Sequence, residues 1–293
     1  MQSPFDSGKT LIFKTMALGG VRYLNSSPAT SEVNLANSTS YISNMGTHYE
    51  VTKMSDGSYT LKTLSTSGPK RYVDSLPGAP SRDQMVFLSQ AVDGKHGARW
   101  KPELQVDGLY TLRSMSIAAS ADRYLDSWPR SPTPANVYLS SVGRLFSVGS
   151  HWNVGVDSYT TAEVVKIVDA YHSGLEKVVY KSDSLYHPME YSTLKEIWDS
   201  SGLSGFRYKK EKFDSDDFAV CFKAAVAQWC YKESVQAPKA MSCLCGILWA
   251  TKPGDVEHQF NFSVDPFGAV VLFDPQNGQK IPEQDWKPTF CMI

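Results

Sequence analysis

The sequence lacks a strong excess of charge of either sign and any apolar run long enough to cross a membrane. Its 293 residues carry 29 Lys and Arg against 30 Asp and Glu, a formal net charge of -1. Such a chain has no global field that would recruit nucleic acid or an anionic membrane, and a membrane-spanning helix needs roughly 20 apolar residues. The opening residues Met1-Gln2-Ser3-Pro4 do not begin a signal peptide, which predicts a cytoplasmic location.

Cysteine is scarce and odd in number, which argues against a disulfide framework. The five cysteines are Cys221, Cys230, Cys243, Cys245 and Cys291. Four of them fall within apolar segments, so they are expected to be reduced, buried thiols. Cys221 in particular is expected on the buried face of a helix.

The N-terminal half contains a threefold repeat. Three segments share one signature, Arg22-Tyr23-Leu24-Asn25-Ser26, Arg71-Tyr72-Val73-Asp74-Ser75 and Arg123-Tyr124-Leu125-Asp126-Ser127, with tyrosines 49 and 52 residues apart. Tyr49, Trp100 and Trp152 recur 51 and 52 residues apart and are expected in a core. Three units of short strands and turns predict a β-trefoil, a six-stranded barrel capped by three hairpins, over residues 1–155.

The repeats also suggest a carbohydrate site. Asn25, Asp74 and Asp126 each follow a strand, and a short polar side chain beside an aromatic such as Trp128 can bind sugar hydroxyls. The alternative is that these residues only close a hairpin through an Asx-turn. The two interpretations stand about equal.

Residues 156–293 show a different pattern, in which helix-like segments come first and strand-like segments follow. This order predicts an α+β domain. Asp214 is a natural N-cap for a helix that begins near Ser215. A helix N-terminus favours an anionic nucleophile, and Ser215 occupies that place. The turn after Val264 is expected to bring His258 within one residue of Asp274 on the neighbouring strand. A His and a carboxylate facing a nucleophile is the layout of a papain-like site.

Acidic residues surround the same helix start. Asp214, Asp216 and Asp217 offer hard oxygen ligands of the kind that Ca²⁺ prefers. Helix capping alone would not require three aspartates, so a metal is favoured about two to one over capping.

The C-terminal half resembles the fungal chimerolectins related to the Marasmius oreades agglutinin. The resemblance rests on Ile197-Trp198-Asp199-Ser200-Ser201-Gly202-Leu203, on residues 213–219 and 223–226, and on His258-Gln259-Phe260-Asn261-Phe262 and residues 273–278. The aspartates of the repeats also resemble that family's trefoil lectin domain, but its Gln-x-Trp motif is not visible. That departure weakens the expectation of galactose specificity.

The resemblance implies a Ca²⁺- or Mn²⁺-dependent papain-like cysteine protease. It places the nucleophile at position 215, the base at His258 and the orienting acid at Asp274. Its metal ligands would include Asp216 and Asp274, with Asp217 and Asn277 as further candidates, and Tyr208 would line the substrate cleft. The family also implies glycan and peptide partners and a homodimer.

Ser215 departs from the family, because a hydroxyl is not ionised by a neighbouring imidazole as a thiol is. The sequence therefore predicts a lectin fused to an inactive protease, in a protein of a defence-toxin type. One alternative is a non-catalytic binding protein whose C-terminal domain only dimerises. Another is a trefoil that binds peptides or proteases.

Overall fold

The computed structural model divides into two compact units, Met1–Asp157 and Ser158–Ile293. It describes residues 3–17, 22–37, 45–76, 86–90, 92, 97–116, 123–127, 137–140, 148–173, 175–178, 183–233, 241–252, 256–282 and 286–293. The division falls two residues beyond residue 155, where the sequence pattern predicts the boundary between the domains. None of the helices in these ranges combines the length and the apolar content needed to cross a bilayer.

The first unit consists of short strands. They are β1 (Leu11–Thr15), β2 (Tyr23–Ser27), β3 (Glu32–Ala36), β4 (Tyr49–Lys53), β5 (Tyr59–Thr63), β6 (Tyr72–Ser75), β7 (Val86–Ser89), β8 (Trp100–Leu104), β9 (Tyr110–Ser114), β10 (Tyr124–Ser127), β11 (Val137–Ser140) and β12 (Trp152–Val156). Strands β1, β4, β5, β8, β9 and β12 pair in a closed ring. Strand pairs β2–β3, β6–β7 and β10–β11 form three hairpins beside it. This topology confirms the predicted β-trefoil.

The threefold repeat fills the centre of the barrel. Tyr49, Trp100 and Trp152 are all fully buried, as their recurrence predicts. The indole of Trp100 donates to the carbonyl of Val73 at 2.9 Å, and that of Trp152 donates to Leu125 at 3.0 Å. Each indole therefore reaches back to the start of its own repeat. Burying such large rings with their N–H groups satisfied gives the core both apolar area and a fixed register.

The second unit combines three helices with two sheets. The helices are α1 (Thr161–Tyr171), α2 (Tyr191–Ser201) and α3 (Ser215–Glu233), and the strands are β13 (Tyr159–Thr160), β14 (Glu176–Val178), β15 (Leu185–His187), β16 (Ser242–Cys243), β17 (Gly246–Lys252), β18 (Val256–Val264), β19 (Val270–Asp274), β20 (Gln279–Lys280) and β21 (Lys287–Met292). The larger sheet has the order β14-β21-β17-β18-β19-β20, and the smaller has the order β13-β15-β16. Helices precede most of the larger sheet in the chain, as predicted.

Local signals set the helix ends. Thr160 and Glu163 form a reciprocal capping box at the start of α1. Helix α2 ends at Gly202, whose φ of 78° suits a residue without a Cβ atom. Helix α3 packs against the sheet, where the buried side chain of Asn261 donates to the carbonyls of Ala219 and Gly246 at 3.0 and 3.2 Å.

Candidate functional site

Ser215 is the first residue of α3. The carbonyl of Asp214 accepts a hydrogen bond from the N–H of Phe218 at 3.1 Å, and the N–H of Asp214 donates to Oδ2 of Asp217 at 3.2 Å. Asp214 therefore occupies the predicted N-cap position. Among the described residues, however, the side chain that closes the turn is that of Asp217 and not its own. The half-buried Ser215 side chain lies at the positive end of a 19-residue helix dipole.

Three carboxylates crowd this helix start. Oxygens of Asp214, Asp216 and Asp217 lie within 4.8 Å of one another. Hydrogen bonding with Asp214, followed by partial burial, raises the pKa of Asp216 above its usual range. Oδ1 of Asp214 is buried, and no N–H or hydroxyl group among the described residues donates to it. A cluster of repelling carboxylates with an unsatisfied oxygen has the donor chemistry that a hard cation requires.

His258 and Asp274 meet on neighbouring strands. Nε2 of His258 lies 3.5 Å from Oδ1 of Asp274, and their side chains are 14% and 15% exposed. That distance exceeds the roughly 2.8 Å of a charge-assisted hydrogen bond, so the contact must shorten to form one. The carboxylate is held by the N–H of Gln276 at 2.9 Å and by Nδ2 of Asn277 at 3.0 Å. A neutral imidazole that donates from Nε2 toward Asp274 leaves Nδ1 as its acceptor.

The strand register differs by one residue from the symmetrical closure. Val264 pairs with Val270, because the N–H of Asp265 donates to the carbonyl of Ala269 and extends the turn. Continued along β18, this register sets His258 two residues from direct opposition to Asp274. Residues two apart share a face of the sheet, so the two side chains form a diagonal pair.

Sequence patterns did not predict the aromatic side chain beside this pair. The ring of Trp286 lies 5.3 Å from that of His258 and 5.7 Å from that of Phe260, measured between centroids. Nζ of Lys252 lies 4.4 Å from the Trp286 ring. Trp286 comes just before β21, and only the pairing of β21 with β17 and of β17 with β18 brings it here. No local spacing could have revealed a contact built from three strands.

A cavity of about 320 Å³ adjoins the pair. The residues that line it include Lys252, Glu257, His258, Asp274, Asn277 and Trp286. Its walls combine the Trp286 ring, two carboxylates and the ammonium groups of Lys252 and Lys280. This mixture suits a small polar group of a ligand better than an apolar one.

Ser215 stands apart from the strand pair in this arrangement. Within the described ranges, no hydrogen bond joins Ser215 to His258 or Asp274, and Ser215 does not line their cavity. The side chain of Asn261 reaches α3, and His258 lies three residues away along β18. Side chains three apart on a strand point to opposite faces. The structure therefore brings together His258 and Asp274 but not the third member of the predicted triad.

The predicted metal ligands also divide into two groups. Asp216 and Asp217 cluster with Asp214, whereas Asp274 and Asn277 bond to each other. Asp274 does not join the group of three carboxylates. Tyr208, the predicted cleft residue, is 55% exposed in the segment before α3.

The predicted sugar ligands are mostly inaccessible. Asp74 and Asp126 are 4% and 1% exposed, and each carboxylate accepts the N–H of the following serine at 2.7 Å. A Cβ atom on Gly97 or Gly149 would lie 2.4 Å from these carboxylates, so each packs against a glycine backbone. This burial does not fit the expected sugar contact. The bond to the adjacent residue is not that of an Asx-turn either, because an Asx-turn bonds two residues on; each aspartate holds the end of its strand against a glycine backbone.

The other two predicted sugar residues differ in status. Asn25 is half-buried and donates through Nδ2 to Oδ1 of Asn34 at 2.7 Å across its hairpin. Trp128 lies outside the described residues.

Cys221 corrects a further expectation, because it is exposed. Helix α3 buries Phe218, Phe222, Val226 and Cys230 against the sheet and turns the side that carries Cys221 outward.

Comparison with known proteins finds a similar fold over both units. Residues 186–280 match the family model described as "Agglutinin C-terminal", a segment that includes Ser215, His258 and Asp274. No curated protein matches the chain at a significant level. Two solved structures cover 98% of this chain and 99% of their own length at 20% identity: the PSL1a-E64 complex, with a TM-score of 0.52, and Polyporus squamosus lectin bound to Neu5Acα2-6Galβ1-4GlcNAc, with a TM-score of 0.51.

These likenesses show the fold, and they agree with the sequence resemblance noted above. The whole chain shares its fold with these two solved structures, and residues 186–280 match the agglutinin C-terminal family model.

Proposed function

We propose that the trefoil unit binds glycans. The observation that supports this is the complete, closed trefoil, shared in fold with a lectin described in complex with a sialylated trisaccharide. Asp74 and Asp126 are buried, so we do not assign them as the contacts. The side chains of Asn25 and Asn34, bonded at 2.7 Å, are partly exposed on a half-buried hairpin, although Oδ1 of Asn25 is itself buried. An amide pair can both donate to and accept from sugar hydroxyl groups.

Glycan binding is tested by applying the full chain to a glycan array and measuring the hits by titration calorimetry. We expect binding that Asn34→Ala weakens and that Asp56→Asn, at an exposed turn of the next repeat, leaves unchanged. Absence of binding to every glycan, by a chain that is folded by circular dichroism, would contradict the proposal.

We infer that the C-terminal unit carries a cysteine-protease type of site whose nucleophile position is filled by Ser215. The His258–Asp274 contact at 3.5 Å carries this inference, because it lies within the matched segment and is covered by Trp286. PSL1a, which shares the fold, is described as a complex with E64. In this assignment Asp274 orients His258 through Nε2, and Nδ1 of His258 exchanges the proton with the nucleophile and the leaving amine.

Ser215 explains why this form would not cleave peptides. A hydroxyl group has a far higher pKa than a thiol, and the helix dipole and an imidazole together do not ionise it. Activity would also require the side chain of His258, which points to the face of β18 opposite α3, to come within reach of the nucleophile. The sequence therefore encodes the acid and base of a reaction whose nucleophile is missing.

The carboxylates at the start of α3 fit a divalent cation such as Ca²⁺. Asp214, Asp216 and Asp217 would hold it, and the unsatisfied Oδ1 of Asp214 supports this assignment. The cation would supply positive charge that neutralises the three carboxylates and orders the helix start. Asp274 is left to orient His258, and Asn277 to hold Asp274.

Peptidase activity of the full chain and of Ser215→Cys, each with and without Ca²⁺, tests the assignment. We expect that only Ser215→Cys in the presence of Ca²⁺ cleaves a denatured protein substrate, and that E64 inhibits this activity. His258→Asn added to that variant should remove activity, because no base remains. Ser215→Ala serves as the matched inactive control.

Absence of peptidase activity in Ser215→Cys under all conditions would instead favour the alternative of a non-catalytic binding protein. A toxin role, in which the lectin concentrates the C-terminal unit on a target cell, depends on the same result.

We further propose that the chain forms a homodimer through α3. Val220, Ala224, Ala227 and Tyr231 are all exposed, and they recur at spacings of four, three and four residues. An apolar stripe opposite the buried face is unusual for a helix in contact with water. The large-small-small-large order of the stripe complements itself in an antiparallel pair, which is the geometry of a twofold interface.

A further inference from the structure

A second cavity in the C-terminal unit is lined by three of the five cysteines. It has a volume of about 460 Å³, and its lining includes Cys230, Cys243, Cys245, Asp183, Tyr186 and Lys223. None of the residues proposed above for catalysis or metal binding contributes to it, whereas Ala227 and Tyr231 of the proposed dimer stripe do. The concentration of thiols in one cavity, in a chain with few cysteines, sets it apart from ordinary core packing.

Two of these thiols, Cys230 and Cys243, are neighbours in the lining of this cavity. Cys230 lies in the last turns of α3 and is 8% exposed, and its Sγ lies 3.8 Å from the carbonyl of Met241. Its sulfur is also hydrogen-bonded by the thiol and the backbone N–H of Cys243, which lies two residues beyond Met241 on β16. Cys243 is half-buried, so the pair is reached from the cavity and not only through the core.

The three thiols differ in reactivity. The hydrogen bond from the Cys243 thiol, opposed by burial, lowers the pKa of Cys230 below its usual range. Burial raises the pKa of Cys245 to about 12. Because the thiolate is the reacting form, Cys230 is the nucleophile of the group, Cys243 is the adjacent second thiol and Cys245 is inert.

We propose that Cys230 and Cys243 form a reversible disulfide, so that this cavity is a thiol-oxidation site. The Cys230 thiolate attacks one sulfur of a small-molecule disulfide, breaks its S–S bond and releases one thiolate, which takes up a proton. Cys243 then loses its proton to solvent and attacks Sγ of the mixed disulfide, releasing the second small thiol. Overall, two protein thiols are oxidised to one disulfide and one small disulfide is reduced to two thiols.

The bond would join two separate elements. Cys230 belongs to α3, and β16 pairs in parallel with β15, where Cys243 faces His187. Oxidation would fasten the C-terminal end of α3 to the smaller sheet, whereas Ser215 lies at the opposite end of that helix. The site is therefore chemically separate from the proposed catalytic residues.

The test uses the full chain with Cys221→Ser, which removes the exposed thiol that would form adducts or cross-links. The reduced protein is incubated with glutathione disulfide, and free thiols are counted after denaturation. Removing one of five cysteines leaves four thiols, and one disulfide leaves two. We expect that fall, a Cys230–Cys243 cross-linked peptide by mass spectrometry, and full recovery of four thiols with dithiothreitol.

Matched variants establish which thiols react. Cys243→Ser should stop at a single glutathione adduct on Cys230, and Cys230→Ser should lose the reaction. Cys291→Ser, which removes a fully buried cysteine outside the cavity, should still lose two thiols. Near-ultraviolet circular dichroism confirms that each variant is folded. Retention of all four thiols, or a cross-link between any other pair, would overturn the proposal.

Discussion

The oxygens of a carboxylate can accept hydrogen bonds either from the protein itself or from a ligand. In the trefoil repeats they accept them from the protein. Asp74 and Asp126 accept backbone N–H groups and lie against Gly97 and Gly149. The neighbours of each aspartate in the strand are buried as well, so burial does not alternate there, and a pattern of alternation could not say that these polar residues turn in. Sequence reasoning therefore found the repeated residue and left its role open.

Replacing Asp74 by Ala should destabilise the trefoil by about 2 kcal/mol, because a buried hydrogen-bonded acceptor is lost. Asp74→Asn is the matched control: it keeps an acceptor oxygen, and the first repeat already has Asn25 at this position. Urea denaturation measures the free energy of unfolding of both variants. Loss of glycan binding by Asp74→Ala at unchanged stability would show that the side chain contacts sugar after all.

At the C-terminal site, sequence reasoning reached His258 and Asp274 because one hairpin joins them. It missed Trp286, which arrives through two further strand pairings. Ser215 was found from the helix start alone, where capping residues leave a local signature. Its distance from the strand pair depends on how α3 packs, and no local pattern contains that information.

Among the elements, α3 has two apolar sides. Phe218, Phe222 and Val226 face the sheet, and Val220 and Tyr231 face outward at 56% and 78% exposure. With apolar residues on both sides, the helical period cannot decide which side is buried. This ambiguity explains why Cys221 was expected inside and is found outside.

The outward stripe of α3 predicts that Ala224→Arg weakens self-association at least tenfold, because a charge would enter the centre of an apolar contact. Sedimentation equilibrium of the full chain measures the dimer constant. Ser192→Arg, at an exposed position of α2, adds the same charge elsewhere and should leave the constant unchanged. A dimer that tolerates Ala224→Arg must use another surface, and a wild-type monomer would exclude the interface.

At the scale of the whole chain, the threefold repeat made the fold of the first unit predictable from the sequence. Three copies of one signature in register indicate the ring of strands even though each strand has only four or five residues. The second unit has no repeat, and its six-stranded sheet includes a parallel edge strand, β14, that pairs with β21 more than a hundred residues later. Such long-range pairing leaves little trace in local sequence.

The ring predicts where the chain can be shortened. Residues 1–157 should fold alone and unfold cooperatively in urea, whereas residues 1–150 should not, because β12 supplies the partner of β1 and β9. Near-ultraviolet circular dichroism and denaturant titration compare the two fragments. A folded 1–150 fragment would show that closure of the barrel is not required.

The pairing of Leu11 with Val156 and of Thr15 with Trp152 has one more consequence. The two ends of the trefoil lie side by side at the roughly 4.8 Å spacing of adjacent strands. The three repeats therefore form a closed ring, and the two ends of the unit lie between the third repeat and the first. A circular permutant, joined at these ends and reopened at the Asp107-Gly108 turn, would trace the same barrel with the repeats in a different order.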